Sequence, residues 1–351
     1  MRMLPFDIKS AFQGGPLSVI AMLLITAVIF VNGWTDAPNA IATCISTRSL
    51  TPAKGILLAS FMNFAGVFIM SVINRSVAET VFGIASFGDD SKVAIAALCA
   101  ALFSIVIWAV VAWFFGIPTS ESHALIAGIT GASFAVFGSF DGIGTAEWKK
   151  VLFGIVLSVF VGFSLGFIIV SITRIIIRRF SLKGTSGAFA FLQALSSAFM
   201  AFMHGAQDGQ KFIGVFILGV YIAGGRTHTG EFHIPLWLMV FTALIMSFGT
   251  ATGGYRIIKS VSMDMVRLKA YQGFSADLAG SVSLLLSSFA GLPVSTTQAK
   301  TAAIMGVGAS KGLRFVNWRI AGNMLVTWLL TFPGCAFISY LVTKLFFILI
   351  S

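Results

Sequence analysis

Ten apolar stretches, most of them as long as a bilayer is thick, leave this 351-residue chain few folds to choose from. About 20 residues rising 1.5 Å each cross the hydrocarbon. On that ruler, crossings fall at 17–47, 55–74, 93–115, 117–139, 150–173, 187–222, 234–254, 271–290, 293–309 and 320–348. The runs are continuous rather than alternating, so helices fit and a barrel does not. Composition agrees: 57% of residues are hydrophobic and 10% are charged, with a mean hydropathy of +0.96. A soluble domain carries about 25% charged residues. The chain cannot cover a soluble surface and reads as an integral membrane protein.

Charge sets the expected orientation. The net charge of +11 sits in short loops between apolar runs, which excludes nucleic acid as the reason for it. Clearly basic loops hold Arg48 and Lys54; Arg174, Arg178, Arg179 and Lys183; Arg256, Lys259, Arg267 and Lys269; and Lys311, Arg314 and Arg319. Loops 75–92, 140–149 and 224–233 are mixed or acidic. Threading ten crossings with both termini outside places every basic loop in the cytoplasm, as the positive-inside rule requires. The expected location is the cell (inner) membrane, multi-pass, with no removable signal peptide. Cys44, Cys99 and Cys335 lie far apart in apolar surroundings and read as buried free thiols. The 35 Phe residues read as lipid-facing and packing mass.

Two polar stretches interrupt the apolar runs: Asn32–Asn39 (N-G-W-T-D-A-P-N) and His204–Lys211 (H-G-A-Q-D-G-Q-K). Each holds a carboxylate, Asp36 or Asp208, at a depth where an ionisable group costs roughly 2.5–3.5 kcal/mol on insertion scales. Gly33 and Pro38 in the first, and Gly205 and Gly209 in the second, are expected to let both helices come apart. Two such stretches, matched across the halves of one chain, read as two sides of one ion site. A second motif repeats in the same register. G-I-P-T-S-E-S-H at 116–123 lies 82 residues beyond Asp36, counted to Pro118, and G-L-P-V-S-T-T-Q at 291–298 lies 85 beyond Asp208, counted to Pro293. Five crossings per half put the halves, 1–180 and 181–351, in opposite orientation. Inverted repeats with broken helices are the signature of a secondary transporter with its site near the midplane. The expected fold is therefore an all-α integral membrane protein. It has about ten crossings in a 5+5 inverted-topology repeat, two broken helices, and two re-entrant hairpin tips at 116–123 and 291–298.

The Pro-centred motifs place hydroxyls (Thr119, Ser120, Ser122; Ser295, Thr296, Thr297) before apolar helices. Ser or Thr at a helix start, with free N–H groups and the positive dipole end, makes an anion site. The plainer alternative is an ordinary cap whose hydroxyl satisfies its own backbone. Carboxylates beside an anion site repel the anion, and Glu121 adds a third. Cations resolve the conflict: Asp36, Asp208, Asn39, Gln207 and Thr35 are hard oxygen ligands that suit sodium, and protonation of the aspartates would serve the same end. Glu121 reads as ligand, gate or proton acceptor. Lys211 and Lys300 could face the anion, snorkel, or pair with Asp208. His123 and His204 read as orienting backbone or hydroxyls rather than binding metal or shuttling protons. Asp277 has no evident partner. No P-loop occurs, which argues against direct ATP drive. An anion channel is disfavoured by paired carboxylates at its pore. An enzyme is disfavoured because Ser122 and His123, being adjacent, would point apart on a helix.

At these residues the chain resembles the inorganic phosphate transporter (PiT) family of phosphate–cation symporters, whose hallmark is a repeated G-x-N-D-x-x-N-A-type motif with a Pro-Ser/Thr-rich hairpin in each half. The copies here are Gly33-Trp34-Thr35-Asp36-Ala37-Pro38-Asn39-Ala40 and Gly205-Ala206-Gln207-Asp208-Gly209-Gln210-Lys211, with hairpins Pro118–His123 and Pro293–Gln298. Thr35 and Gln207 stand where the family usually has Asn, and Lys211 stands where the first copy has Asn39. The resemblance implies a non-enzymatic importer of inorganic phosphate working by alternating access as a homodimer in the bilayer. Sodium ions would be co-transported, with no organic cofactor. It also implies phosphate held by Thr119, Ser120, Glu121, Ser122, Ser295, Thr296, Thr297 and Gln298, with cations at Asp36, Asn39 and Asp208 assisted by Thr35 or Gln207. The family includes sodium- and proton-coupled members and relatives that carry sulfate.

Overall fold

Wherever the apolar runs continue, the backbone closes its own hydrogen bonds as helix, the arrangement that hydrocarbon demands. The computed structural model describes residues 15–115, 119–178, 182–224, 232–253 and 268–350. In chain order the helices are α1 (Pro16–Thr35), a 3₁₀ turn (Ala37–Ile41), α2 (Ala42–Ser46), α3 (Pro52–Ile73), α4 (Ser76–Phe82), α5 (Ser91–Phe115) and α6 (Glu121–Phe137). Then come α7 (Thr145–Ile177), α8 (Leu182–Ala223), α9 (Leu236–Thr252), α10 (Ala270–Phe289), α11 (Thr296–Ala309), a 3₁₀ turn (Leu313–Phe315) and α12 (Trp318–Ile350). Among the described residues the only β contact is an isolated bridge between Ala85 and Ile143. Large side chains such as Phe61, Phe115, Phe153, Phe160 and Phe191 point outward, where lipid would meet a multi-pass membrane protein. Cys44, Cys99 and Cys335 are buried and unpaired, as expected.

Every crossing read from the sequence has a helix, but the helices are not of one kind. Among the described residues six are long and apolar enough to span a membrane: Pro16–Ser46 taken together, Pro52–Ile73, Ser91–Phe115, Thr145–Ile177, Gly187–Ala223 and Ala321–Ile348. By contrast α6 has 17 residues and α11 has 14, too few at 1.5 Å each to cover about 30 Å of hydrocarbon. Both begin at the Pro-centred motifs, so those motifs open helices inside the protein rather than at its surface. Residues 116–118, with Pro118, lie outside the described residues. So do 1–14 and 254–267, which hold Arg256, Lys259 and Arg267 and bear on the expected threading.

Three expectations need correction. The first polar stretch does break its helix: α1 stops at Thr35 and Pro38, which has no N–H to give, sits in the 3₁₀ turn. The second does not, because α8 runs unbroken through His204–Lys211. Its glycines serve packing instead. A Cβ on Gly205 would be driven into the carbonyl oxygen of Asn63 on α3, and one on Gly209 into the Val67 side chain. Gly33 is likewise inside α1 and lies against the Met246 carbonyl of α9. Finally, segment 75–92 is not all loop. Helix α4 buries Val77, Ala78, Val81 and Phe82 while Arg75 and Glu79 pair on its outer side at 3.6 Å.

Helix pairings come in matched couples. α1 packs on α9 as α8 packs on α3; α5 on α6 as α10 on α11; α6 on α12 as α11 on α7; and α5 on α12 as α10 on α7. Adding a methyl at a closely packed backbone contact typically costs about 1–3 kcal/mol. Gly33→Ala and Gly205→Ala should each lower the thermal unfolding midpoint in detergent. Gly187→Ala, whose added Cβ meets nothing within 4 Å, should leave it unchanged or raised.

Candidate ion-binding site

The break after Thr35 and the intact turns of α8 bring the two polar stretches together. On α8, His204, Asp208 and Lys211 follow at i, i+4 and i+7 and so share one face. From the other direction come the starts of α6 and α11. Ser120 and Ser295 cap them, each accepting a hydrogen bond at 3.2 Å from a backbone N–H, that of His123 or Gln298. Within their helices the first-turn amides of Glu121 and Ser122, and of Thr296 and Thr297, have no acceptor. Asp36, Asp208, Glu121, His204 and Lys211 are all buried, none more than 5% exposed.

Each aspartate is gripped by the helix start of the other half. At Asp36, Asn39 Nδ2 donates to Oδ1 at 2.8 Å, Thr296 Oγ1 to Oδ2 at 3.4 Å, and Thr297 Oγ1 to Oδ1. Asn39 Nδ2 also reaches Thr297 Oγ1 at 3.4 Å. At Asp208, Lys211 Nζ donates to Oδ1 at 2.6 Å, Ser122 Oγ to Oδ1 at 3.4 Å, and Asn32 Nδ2 to Oδ2 at 3.3 Å. Lys211 also donates to Ser122 Oγ at 2.6 Å and to Val294 O at 2.5 Å, so a single ammonium joins both tips.

His204 lies between the carboxylates. Its Nε2 is 3.3 Å from Asp208 Oδ2 and 3.9 Å from Asp36 Oδ2. Its other nitrogen faces Asn63 Oδ1 at 3.1 Å, and Asn63 Nδ2 donates to Thr250 at 3.1 Å. Asn63 thus presents its oxygen, so Nδ1 carries a hydrogen and Nε2 of a neutral ring directs a lone pair at two carboxylate oxygens. That convergence asks for positive charge, either a proton on Nε2 or a cation held by Asp36, His204 and Asp208, whose ligand atoms lie within 4.8 Å of one another. Amide oxygens of Asn32, Asn39, Gln207 and Gln298 have no hydrogen-bond partner among the described residues, which leaves them as further hard oxygen donors.

The other sequence candidates divide. Thr35 bonds Glu121 through its hydroxyl and also reaches Val31 O at 2.7 Å. Gln207 turns its amide nitrogen to Ser288 Oγ at 3.0 Å and Leu292 O at 3.2 Å, supporting the second tip from behind. The Ser120 and Ser295 hydroxyls act as ordinary caps, and Thr119 lies half-buried at the margin. His123 stacks on Phe332, ring centroids 4.5 Å apart, and neither of its ring nitrogens has a hydrogen-bond partner among the described residues, so it does not orient backbone or hydroxyls as expected. Lys300 is in a separate cluster. It pairs with Asp277 at 3.1 Å and donates to Asn39 O and Ala40 O at 2.7 and 2.6 Å, carbonyls of the broken segment. Asp277, partnerless in the sequence, also accepts from Thr43 and Ser197.

Sequence reasoning missed Asn32, Asn63 and the central position of His204. For His204 a signal existed, since it precedes Asp208 by four residues, one helical turn; Asn32 precedes Asp36 by the same spacing but donates to Asp208, across the halves. Asn63→Ala would leave the imidazole N–H unpaired, at about 1–3 kcal/mol. It should lower both unfolding stability and apparent cation affinity in the purified protein; an unchanged cation affinity would show that Asn63 does not set the ring.

Comparison with known proteins identifies the family and the fold. Residues 32–339 match the model of the phosphate transporter family. A probable low-affinity inorganic phosphate transporter of Bacillus subtilis is 35% identical over 334 residues, 94% of this chain and 98% of that protein. One of the same description from Rhizobium meliloti is 36% identical over 314 residues, 89% of this chain and 91% of that protein. Among solved structures, a sodium-dependent phosphate transporter superposes with a TM-score of 0.81 at 20% identity, covering 94% of this chain and 99% of the other.

Proposed function

We propose, from the premise that the chain belongs to the phosphate transporter family, that it imports inorganic phosphate together with sodium by alternating access. The family is one of transporters, not enzymes. The observation that carries the coupling is the bonding of Ser122, Thr296 and Thr297 to Asp208 and Asp36. While those hydroxyls serve the carboxylates, they are not available to a substrate. A sodium ion taken up by Asp36, Asn39 and Asp208, with Thr35 or Gln207 assisting, would screen the negative charge and free the hydroxyls. Phosphate would then lie against Thr119, Ser120, Glu121 and Ser122 on one side and Ser295, Thr296, Thr297 and Gln298 on the other, facing two positive helix ends. Cation first and anion second makes transport a symport.

The matched helix pairings and the cross-gripped aspartates support reading 1–180 and 181–351 as a 5+5 inverted repeat. Rocking of one bundle against the other would then open the site to either face in turn. In this reading the protein is a homodimer in the cell membrane with both termini outside. Proton coupling is the second reading, favoured by His204 Nε2 facing both carboxylates.

Uptake of labelled phosphate into proteoliposomes, under an imposed sodium or proton gradient with sulfate as competitor, separates these readings. Sodium-driven, saturable uptake resistant to sulfate is expected. Asp36→Asn and Asp208→Asn should each abolish driven uptake while the protein stays folded, and normal cation-dependent transport in either would sink the assignment.

A further inference from the structure

The two arms of the site are built alike but differ by one charge. In the first arm the residue three beyond the aspartate, Asn39, donates to the carboxylate and to the Thr297 hydroxyl. In the second arm the residue three beyond the aspartate, Lys211, donates to the carboxylate and to the Ser122 hydroxyl. Ser122 and Thr297 stand at the same place in their motifs, fourth after the proline. The partners therefore correspond one for one, and a neutral amide in one arm is replaced by an ammonium in the other.

Lys211 is more than a neighbour of Asp208. Its nitrogen meets three oxygens, Asp208 Oδ1, Ser122 Oγ and Val294 O, at 2.6, 2.6 and 2.5 Å. They come from three different segments: α8, the start of α6 and the link before α11. An ammonium has three N–H donors and no acceptor, so these three contacts satisfy it completely. The side chain is wholly buried. A carboxylate, a hydroxyl and a backbone carbonyl converging on one positive centre are also what a small hard cation gathers around itself. In the first arm the nearby ammonium, Lys300, bonds Asp277 and the Asn39 and Ala40 carbonyls rather than Asp36 or Thr297, and Asn39 Oδ1 is left without a partner among the described residues.

We propose that Lys211 is a tethered cation, permanently filling the ion position at Asp208 Oδ1, so that one exchangeable sodium position remains, on the Asp36 arm, with Asp208 reaching it through Oδ2. This rests on the symport reading above and refines it: one sodium, not two, suffices to neutralise the paired aspartates before the anion binds. Lys211 also fixes an order on the tips, because it already binds both of them before any ion arrives. The exchangeable ion is then the element that completes the Asp36 side.

Counting bound radioactive sodium on the purified full-length protein tests this directly. Wild type should bind one ion per protomer at saturation. Lys211→Asn, which gives the second arm the donor of the first, should bind two, and sodium activation of its phosphate uptake should change from hyperbolic to sigmoidal. Lys211→Met, without charge or donors, should lose uptake, while Lys211→Arg should recover part of it with the wild-type count. Two sodium ions on the wild type, or none, would overturn the proposal, as would an unchanged count in a folded Lys211→Asn. If that variant does not fold, the wild-type count alone decides. Failure of the symport reading would look different: wild-type vesicles would take up no phosphate under any cation gradient.

Discussion

Two carboxylates are buried side by side in a protein that lipid surrounds, and each is served by its own half of the chain and by the other half together. Like charges this close repel strongly where water is excluded, and removing an ion from water costs several kcal/mol even after relaxation. The fold answers by bringing to each aspartate the hydroxyls of a helix start from the opposite half: Thr296 and Thr297 to Asp36, and Ser122 to Asp208. Much else follows from that exchange. Helices α6 and α11 must begin inside the protein. The helices bearing the aspartates must come very close to their neighbours, which the backbone contacts of Gly33 and Gly205 permit. In the proposed function the same hydroxyls would be donors to an oxyanion, so that charge at the aspartates and occupancy at the tips would be linked.

Around this centre lie groups that remove degrees of freedom. Asn63 fixes which nitrogen of His204 faces the carboxylates, and Thr250 fixes Asn63. Gln207 braces the second tip through Ser288 and Leu292. The Asp277–Lys300 pair holds the carbonyls released where α1 unwinds, so the broken segment is anchored rather than loose. A buried ion pair of this kind gives little net stability, but breaking it would leave an uncompensated charge. Bonded to the Asn39 and Ala40 carbonyls, it preserves the shape of that segment rather than adding stability.

Much of this was legible in the sequence, and the parts that were not share a cause. Asp36 and Asp208 stand out because carboxylates in apolar runs are rare, and the Pro-centred motifs because they repeat in register. Pro38 marked the broken helix correctly, since a residue without an N–H cannot continue the ladder. Gly205 and Gly209 misled because glycine serves two unrelated ends, breaking a helix or letting another approach, and only the partner distinguishes them. The partner here is α3, more than a hundred residues earlier. Crossed gripping was illegible for the same reason: Thr297 meeting Asp36 is a contact across 261 residues. His204 was undervalued because its neighbours Asp36 and Asn63 come from other helices.

The central claim is that phosphate binding is conditional on cation charge at the aspartates. Equilibrium binding of labelled phosphate to the purified protein, titrated over a range of sodium at constant ionic strength, addresses it most directly. Coupling between two binding equilibria is reciprocal. Phosphate affinity should therefore rise with sodium, and sodium affinity should rise by the same factor with phosphate. A phosphate affinity indifferent to sodium, and equally to pH, would contradict the account.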